Sequence, residues 1–399
     1  MSRARTDDPV VVVGAGPVGL LLACELRRAR VEVVVVERLA AATDESRASQ
    51  LTTLTARLLH ERGFDALLGE AVHEPRAHFG GLTFPLAAPP DGDGAYAGHW
   101  KVPQYRTEHH LGLRAAELGT RIARGYSLSG LHQEPDAVVC TLGGPTGPTT
   151  LRAAYLVGCD GADSTVRRLA EFPTTGTPAT RTLLRADVGG LTVRDRRFER
   201  LPGGFAVAAT RAGVTRVMVH AFGTGVRARP ERPAFAEVVR AWEQVTGEDI
   251  SAGEPLWLDA FDDAKGQADT YRRGRVLLAG DAAHWHPPVG GQALNTGLQD
   301  AVALGHALAR TVCGEDPDDL LDGYERQRHP VAARVLRHVA AQEQLMYGGP
   351  EAGPLRAVLA ELTALDQVRT HLSAVASNLD RQFPHVRTGG REDSARLRH

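Results

Sequence analysis

Cysteine is scarce. Four cysteines, Cys24, Cys140, Cys159 and Cys313, are scattered over 399 residues without a C-x-x-C spacing, which leaves no disulfide framework and no thiolate metal centre. Three of the four fall in segments that read as buried strand or helix, the pattern of reduced thiols in a cytoplasmic protein. Long apolar runs are also missing. No stretch reaches the roughly 18 apolar residues of a membrane span, and the N-terminal MSRARTDDP lacks the apolar segment of a signal peptide. No membrane partner is expected. Charge of one sign is not in excess, with 46 Lys and Arg against 48 Asp and Glu, and no basic stripe carries interleaved aromatics, so nucleic acid is not an expected partner. No G-x-S-x-G follows a strand, which removes the signature of a Ser-His-Asp hydrolase. His284 and His286 have the spacing of half a zinc site beside Asp281, but no third His or Cys cluster joins them. Packing or hydrogen bonding accounts for them more simply, and no metal is expected.

What is present is organised around Val10 to Arg38, VVVVGAGPVGLLLACELRRARVEVVVVER. Val10 to Val13 is an unalternating β-branched run, as in a parallel strand buried on both faces. Gly14, Gly16 and Gly19 supply G-x-G-x-x-G, whose glycines permit a tight turn, close backbone approach to a pyrophosphate and close helix-on-strand packing. A helix from Pro17 onward points its N-terminal N–H groups at that phosphate. Val33 to Val36 forms the second strand, and Glu37, followed by Arg38, stands at its end, where an acid can accept hydrogen bonds from an adenosine ribose.

Two later stretches have the same character. In YLVGCDGADSTVRRLA an apolar strand, Tyr155 to Val157, runs into Asp160 and Gly161, and Ser164 caps a helix carrying Arg167 and Arg168. In GRVLLAGDAAHWHPPVGGQALNTGLQDA the strand Val276 to Ala279 ends in Gly280 and Asp281, and a proline-glycine loop opens a helix near Leu294. An acid at a strand's carboxyl end beside a helix N-terminus is where an α/β sheet binds its ligand. Between these stretches, a hairpin is expected from Ala137 to Leu142 and Thr150 to Val157, around GGPTGPTT. Residues 181–268 change character: short alternating runs such as FAVAAT and TRVMVH, with one helix over Pro233 to Thr246, predict a mainly antiparallel sheet. Beyond it the pattern is helical to about Asp380, and REDSARLRH reads as a polar tail.

GAGPVG with Glu37, CDGADSTVRR, and GDAAHWHPPVGGQALNTGLQDA occur in an order and spacing that resembles the class A flavoprotein monooxygenases of the para-hydroxybenzoate hydroxylase fold. Within that family the chain looks most like the hydroxylases that tailor angucyclines and related aromatic polyketides. The likeness extends through VPQYRTEHHL, LPGG and the HLSAVASNLD segment. It implies an α/β fold: a Rossmann-like FAD-binding domain from residues 1–72, 101–180 and 269–315, an inserted mainly antiparallel substrate domain at 181–268 with an excursion from 73–100, and a helical C-terminal region at 316–399. The chain ends where many relatives continue into a thioredoxin-like domain, so none is expected here.

The resemblance also implies a site. Gly14, Gly16 and Gly19 would hold the FAD pyrophosphate, and Glu37 with Arg38 the adenosine ribose end. Arg47 and Gln104 match positions near the ribityl and phosphate groups; taken alone, Arg47 is an ordinary surface arginine. Asp160 belongs to a motif tied to both FAD and NADPH, and Asp281 matches the acid that meets a ribityl hydroxyl. Pro288, Gly290, Gly291, Ala293, Leu294 and Asn295 match the loop and helix start beside the flavin ring. FAD is expected to bind without a covalent link. NADPH and O2 are the implied co-substrates, and a flavin C4a-hydroperoxide would pass one oxygen atom to a polycyclic aromatic polyketide. No catalytic side chain is assigned, and the oligomeric state is left open.

Three features depart from the family's pattern. Ala293 stands where glycine is customary, Ala303 with His306 and Ala307 replaces a usual polar-aromatic-basic set, and the 399 residues stop before any thioredoxin-like continuation, whether naturally or by truncation. Two functional classes follow: an oxygenating flavoprotein, or a flavin-bound but redox-silent protein such as a cyclase. Phe79, Phe84, Tyr96, Trp100, Phe205, Phe222 and Trp257 lie among glycines and would either line a wide slot for a flat substrate or form ordinary core.

Overall fold

The computed structural model describes residues 8–45, 47–89, 92–145, 147–227 and 232–380. Most of the N-terminal MSRARTDDP stretch and the whole polar tail lie outside the described residues. The run Val10–Val13 is the inner strand of a six-stranded sheet, and its four valines are buried because the sheet is covered on both faces. It pairs in parallel with Val33–Glu37 on one side and with Tyr155–Gly158 on the other. Arg121–Arg124 extends the sheet beyond the former and Val276–Leu278 beyond the latter, both parallel, and Arg272–Arg273 adds an antiparallel edge. The strand order therefore reverses direction at Val10–Val13, which opens a crevice at the carboxyl ends of its neighbours.

Helix α1 (Pro17–Arg28) buries Leu20, Leu21, Leu22 and Leu26 against this sheet. The short strand Gln50–Leu51 leads into α2 (Thr53–His60) and α3 (Asp65–Gly69), and α4 (Gln104–Glu117) returns the chain to the sheet. An antiparallel meander, Ser127–Gln133, Val138–Gly144 and Gly147–Ala153, follows. The expected single strand from Thr150 to Val157 is in fact two. Its first part closes the meander; Ala153 and Ala154 are fully buried at the crossover, where the Ala154 N–H donates to the Pro9 carbonyl, and Tyr155 starts the parallel strand. Helix α5 (Thr165–Leu169) has Ser164 as its cap, with Oγ accepting from the Arg167 N–H at 3.0 Å.

The strands between Thr182 and Asp262 form a five-stranded antiparallel sheet in the order Arg196–Leu201, Gly204–Arg211, Val214–Ala221, Thr182–Gly189, Glu254–Asp262. Alternation gives it two apolar faces. One buries Ala186, Val188, Val217 and Val219 under Val238 and Trp242 of α6 (Phe235–Thr246), which starts two residues later than its proline suggested. Helix α7 (Gln292–Val312) packs on α1, and its two left-handed glycines place its start two residues before Leu294. The second face of the antiparallel sheet presents Leu183 and Phe205 to Val335, Val339 and Tyr347 of the long helix α8 (Pro317–Tyr347). Helices α9 (Ala352–Thr363) and α10 (Asp366–Ala376) end the described chain. Against α10 rests the hairpin Arg76–Phe79 and Leu82–Pro85, through Ala77 and Phe84. Among the described residues no helix is long and apolar enough to cross a membrane.

Candidate functional site

The glycine turn after Val13 is shaped by what it must avoid. Gly14 has φ +107°, and a Cβ there would stand 2.4 Å from the Cys159 carbonyl oxygen; a Cβ on Gly19 would stand 2.0 Å from the Gly14 oxygen. Both positions exclude a side chain. At Gly16, by contrast, nothing lies within 4 Å of where a Cβ would stand, so space is left beside the start of α1. That helix has Gly16 as its cap, Pro17 at its first position and no side chain capping its first turn, so its leading N–H groups face this space. Glu37 reaches back to the same turn. Its Oε2 accepts from the Ala15 N–H at 2.8 Å and its Oε1 from the Leu39 N–H at 2.8 Å, while Arg38 is exposed.

Asp160 and Gln104 serve mainly to hold backbone. The Asp160 carboxylate accepts from Ser164 Oγ and from the N–H groups of Thr165 (2.7 Å) and Val166 (3.1 Å), so it clamps the start of α5 beside Gly14. Gln104 accepts from the Ala48 N–H at 3.1 Å and donates to Glu108 at 2.7 Å. This fixes the loop bearing Arg47, whose carbonyl also accepts from buried Arg185 at 2.8 Å and whose exposed side chain lies 3.4 Å from Glu45.

Asp281 has the opposite character. It sits half-buried in the turn Gly280–Ala282, at the carboxyl end of Val276–Leu278, and among the described residues its carboxylate accepts no hydrogen bond. Burial pushes its carboxyl above the usual range; nearby His284 and Arg47 oppose that and Asp300 adds to it. An unpaired half-buried carboxylate is able to accept hydrogen bonds from hydroxyl donors.

The turn that carries Asp281 is held from below by three buried residues. Asp300 of α7 accepts from the Gly280 N–H at 3.2 Å, pairs with His284 Nε2 at 2.6 Å and with Arg328 Nε of α8 at 2.6 Å. Burial alone would raise the Asp300 carboxyl, but Arg328 and His284 hold it below the usual range. His284 is thus committed to Asp300, and His286 Nδ1 donates to the Pro287 carbonyl at 2.8 Å. Sequence reasoning missed Asp300 and Arg328 as site supports, since neither lies in a strand-end motif of its own; the one available signal was an acid in the helix that follows Asp281.

Half-buried Pro288 leads to Gly290 and Gly291, both left-handed at φ +71° and +66°, a conformation that glycine adopts without penalty. Asn295 is fully buried and ties this loop down: Nδ2 donates to the Gly291 and Gln50 carbonyls at 2.8 and 2.9 Å, and Oδ1 accepts from the Thr52 N–H at 2.8 Å. Ala293 and Leu294, half-buried, lie in the first turn of α7, and Ala293 is not among the residues of positive φ. An alanine is therefore unstrained there, and the departure from glycine has no backbone consequence.

Gly290 also lines a cleft between α8, α10 and the Arg76–Phe79 strand, with Gln50, His78, Phe79, Gln299 and His338 among its walls. Of the seven aromatics singled out in the sequence, Phe79 alone reaches this cleft. Phe84 and Phe205 are core, Trp100 donates to the Tyr96 carbonyl, Phe222 stacks under Arg200, and Trp257 stacks between Arg185 and Arg216. Of the two readings, ordinary core describes Phe84 and Phe205.

The free helix start, the space at Gly16, the unpaired Asp281 and the paired left-handed glycines fit the pyrophosphate, ribityl and ring parts of FAD. Residues 7–339 match the family described as FAD binding domain. The chain is similar to the 12-dehydrotetracycline 5-monooxygenase/anhydrotetracycline 6-monooxygenase of Streptomyces rimosus, 39% identical over 94% of this chain and 77% of the relative. It is also similar to the dialkyldecalin synthase of Streptomyces rugosporus, 37% identical over 94% and 81% of the two chains. Among solved structures it superposes on CabE, an aromatic hydroxylase from angucycline biosynthesis, with a TM-score of 0.89 and 43% identity over 95% of this chain and 77% of that one. Likeness of this extent, on a site of this form, makes the chain a member of the FAD-binding family of class A flavoprotein monooxygenases.

Proposed function

We propose that the protein is an FAD- and NADPH-dependent monooxygenase of the cytoplasm that adds one oxygen atom from O2 to a polycyclic aromatic polyketide. The observation that carries this reading is Asp281: a carboxylate left without a protein partner among the described residues at the sheet's carboxyl edge, beside a glycine loop that adjoins a cleft. Bound FAD would supply the redox and oxygen-transfer chemistry.

The chain's own residues bind, orient and shield. The N–H groups at the start of α1 would meet the pyrophosphate, Glu37 the ribose and Asp281 a ribityl hydroxyl. Asn295 and Asp300 hold the loop and the turn in place from within the core, so neither has to reorganise when the cofactor enters. The apolar wall of the cleft, with Phe79, Val331 and Val335, would exclude water from the reacting edge.

A second reading is supported by the likeness to a dialkyldecalin synthase: a flavin-bound protein that shapes its substrate without oxidising it. NADPH consumption separates the two. A hydroxylated polycyclic quinone should stimulate NADPH oxidation and emerge one oxygen atom heavier; conversion without NADPH consumption would select the second reading.

A further inference from the structure

Arg185 joins the antiparallel sheet to the loop that carries Arg47. It lies on the strand Thr182–Gly189, on the same face as Leu183, because side chains two apart on a strand share a face. Leu183 packs with Val335 and Val339 of α8, whereas the equally buried Arg185 turns its guanidinium to a loop 138 positions earlier in the chain. One Nη donates to the Arg47 carbonyl at 2.8 Å and the other to Asp259 Oδ2 at 2.5 Å.

The sheet fixes the direction of that guanidinium. Asp259 is the direct cross-strand neighbour of Arg185 on Glu254–Asp262. Trp257 and Phe261, two residues to either side of Asp259, place their ring centres 4.8 and 5.1 Å from the guanidinium carbon. The planar fork is held between them, with one arm on the sheet and one on the loop. An apolar side chain would fill this face as Leu183 does. A buried charge is costly unless it is paired, and here one of its two bonded arms serves the backbone of a distant loop.

The same loop has further ties on both sides. Arg232, ahead of α6, donates to Glu45 Oε1 at 2.7 Å, and Glu45 Oε2 lies 3.4 Å from the Arg47 guanidinium. From the side of α4, Gln104 Oε1 accepts from the Ala48 N–H at 3.1 Å and the Gln104 N–H donates to the Ala48 carbonyl at 3.0 Å. Arg47 thus stands between a grip from the antiparallel sheet and a grip from α4.

We propose that Arg185 positions Arg47 for the cofactor: through this one guanidinium the antiparallel sheet sets the loop so that the Arg47 side chain meets a phosphate or ribityl oxygen of FAD. This rests on the FAD reading above. Arg185 is a positioning residue, because it acts through the Arg47 backbone.

The test titrates the full-chain apoprotein with FAD and, separately, digests it with trypsin. Arg185→Lys keeps a positive charge for Asp259 but replaces the fork by a single ammonium, which does not span both partners. FAD affinity should fall about tenfold, the size of one lost hydrogen bond. Arg47→Met should cost at least as much, and the double variant should bind FAD no more weakly than Arg47→Met alone, because Arg185 acts only through Arg47. Losses that multiply in the double variant would overturn the proposal. In the apoprotein, trypsin cleavage between Arg47 and Ala48 should be about tenfold faster in Arg185→Lys, since the bond that holds the loop closed is lost. Asp259→Asn keeps the bond to the Arg47 carbonyl, so it should lower the melting temperature yet leave cleavage and FAD affinity within about twofold of the parent. Equal effects of Asp259→Asn and Arg185→Lys on cleavage and affinity would show a sheet-wide disturbance and overturn the proposal, as would an unchanged cleavage rate in Arg185→Lys. Faster cleavage in a protein that binds no FAD would remove the FAD reading and the role of Arg47 but keep the tie; FAD binding with unchanged cleavage would do the reverse.

Discussion

Glu37 Oε2 stands 2.8 Å from the backbone nitrogen of Ala15, so the acid at the end of the second strand is bonded to the glycine turn at the end of the first. With Oε1 bonded to the Leu39 N–H, both oxygens receive a backbone donor. Glu37→Gln would place an amide NH2 against one of these donors. FAD affinity should fall at least about tenfold, given the strength of charge-assisted hydrogen bonds. Titration of the apoprotein with FAD checks it; parent-like affinity would mean that Glu37 orders the turn without touching the cofactor.

Asp281 and Asp300 lie in one site with opposite environments. Asp281 is half-buried and unpaired among the described residues, so Asp281→Asn should raise the melting temperature of the apoprotein by removing a charge whose folded form is disfavoured. The same change should weaken FAD roughly 10- to 100-fold, from about 1.5 to 3 kcal/mol for a hydrogen bond to a charged group. Thermal melts with and without FAD test both effects, and a lower apoprotein melting temperature would contradict the first.

Asp300 behaves in the other direction. Its folded carboxyl titrates below the usual 3.8, so its stabilising contribution is fully present above that pH and is lost as pH falls through the lower folded value. Arg328→Met leaves Asp300 with His284 and the Gly280 N–H and should cost about 3 to 5 kcal/mol, as for other broken buried pairs. Denaturant unfolding at neutral pH measures it. A loss under about 1 kcal/mol would show that the Arg328 bond is dispensable.

Ala293→Gly should leave FAD content and turnover unchanged. Ala293 already has ordinary helical backbone in the first turn of α7, so glycine brings only its weaker helix propensity, a loss of up to about 1 kcal/mol. A changed rate of NADPH oxidation or of peroxide release would show that the methyl group meets the flavin ring after all.

These contrasts mark what was legible in the sequence. The strand, glycine turn, helix and acid from Val10 to Glu37 could be read because a doubly buried parallel strand is uniformly apolar and its turn admits only glycine at Gly14 and Gly19. Gly290 and Gly291 were legible only through the family resemblance; their left-handed backbone is what the structure adds. The bonds of Asp300 to His284 and Arg328 were not, because they join residues 16 and 28 positions apart on separate elements. The cleft wall was hidden likewise: Gln299, Asn378 and His338 lie on different parts of the chain and meet only when α7, α8 and the end of α10 pack. Aromatics misled. Phe84 and Phe205 read equally well as pocket or core, and packing on α10 and Tyr347 decided it.

The central claim is that this chain holds FAD and uses it to oxygenate a flat phenolic polycycle. Its most direct test is the mass of the product formed from a hydroxylated polycyclic quinone by the FAD-loaded protein under labelled dioxygen, with NADPH consumption followed in the same vessel. The account predicts a product heavier by one labelled oxygen atom, formed in step with NADPH oxidation. A colourless protein that gains no thermal stability from excess FAD, against the few kcal/mol that about 100-fold excess over the dissociation constant would confer, or a converted product free of label, would contradict it.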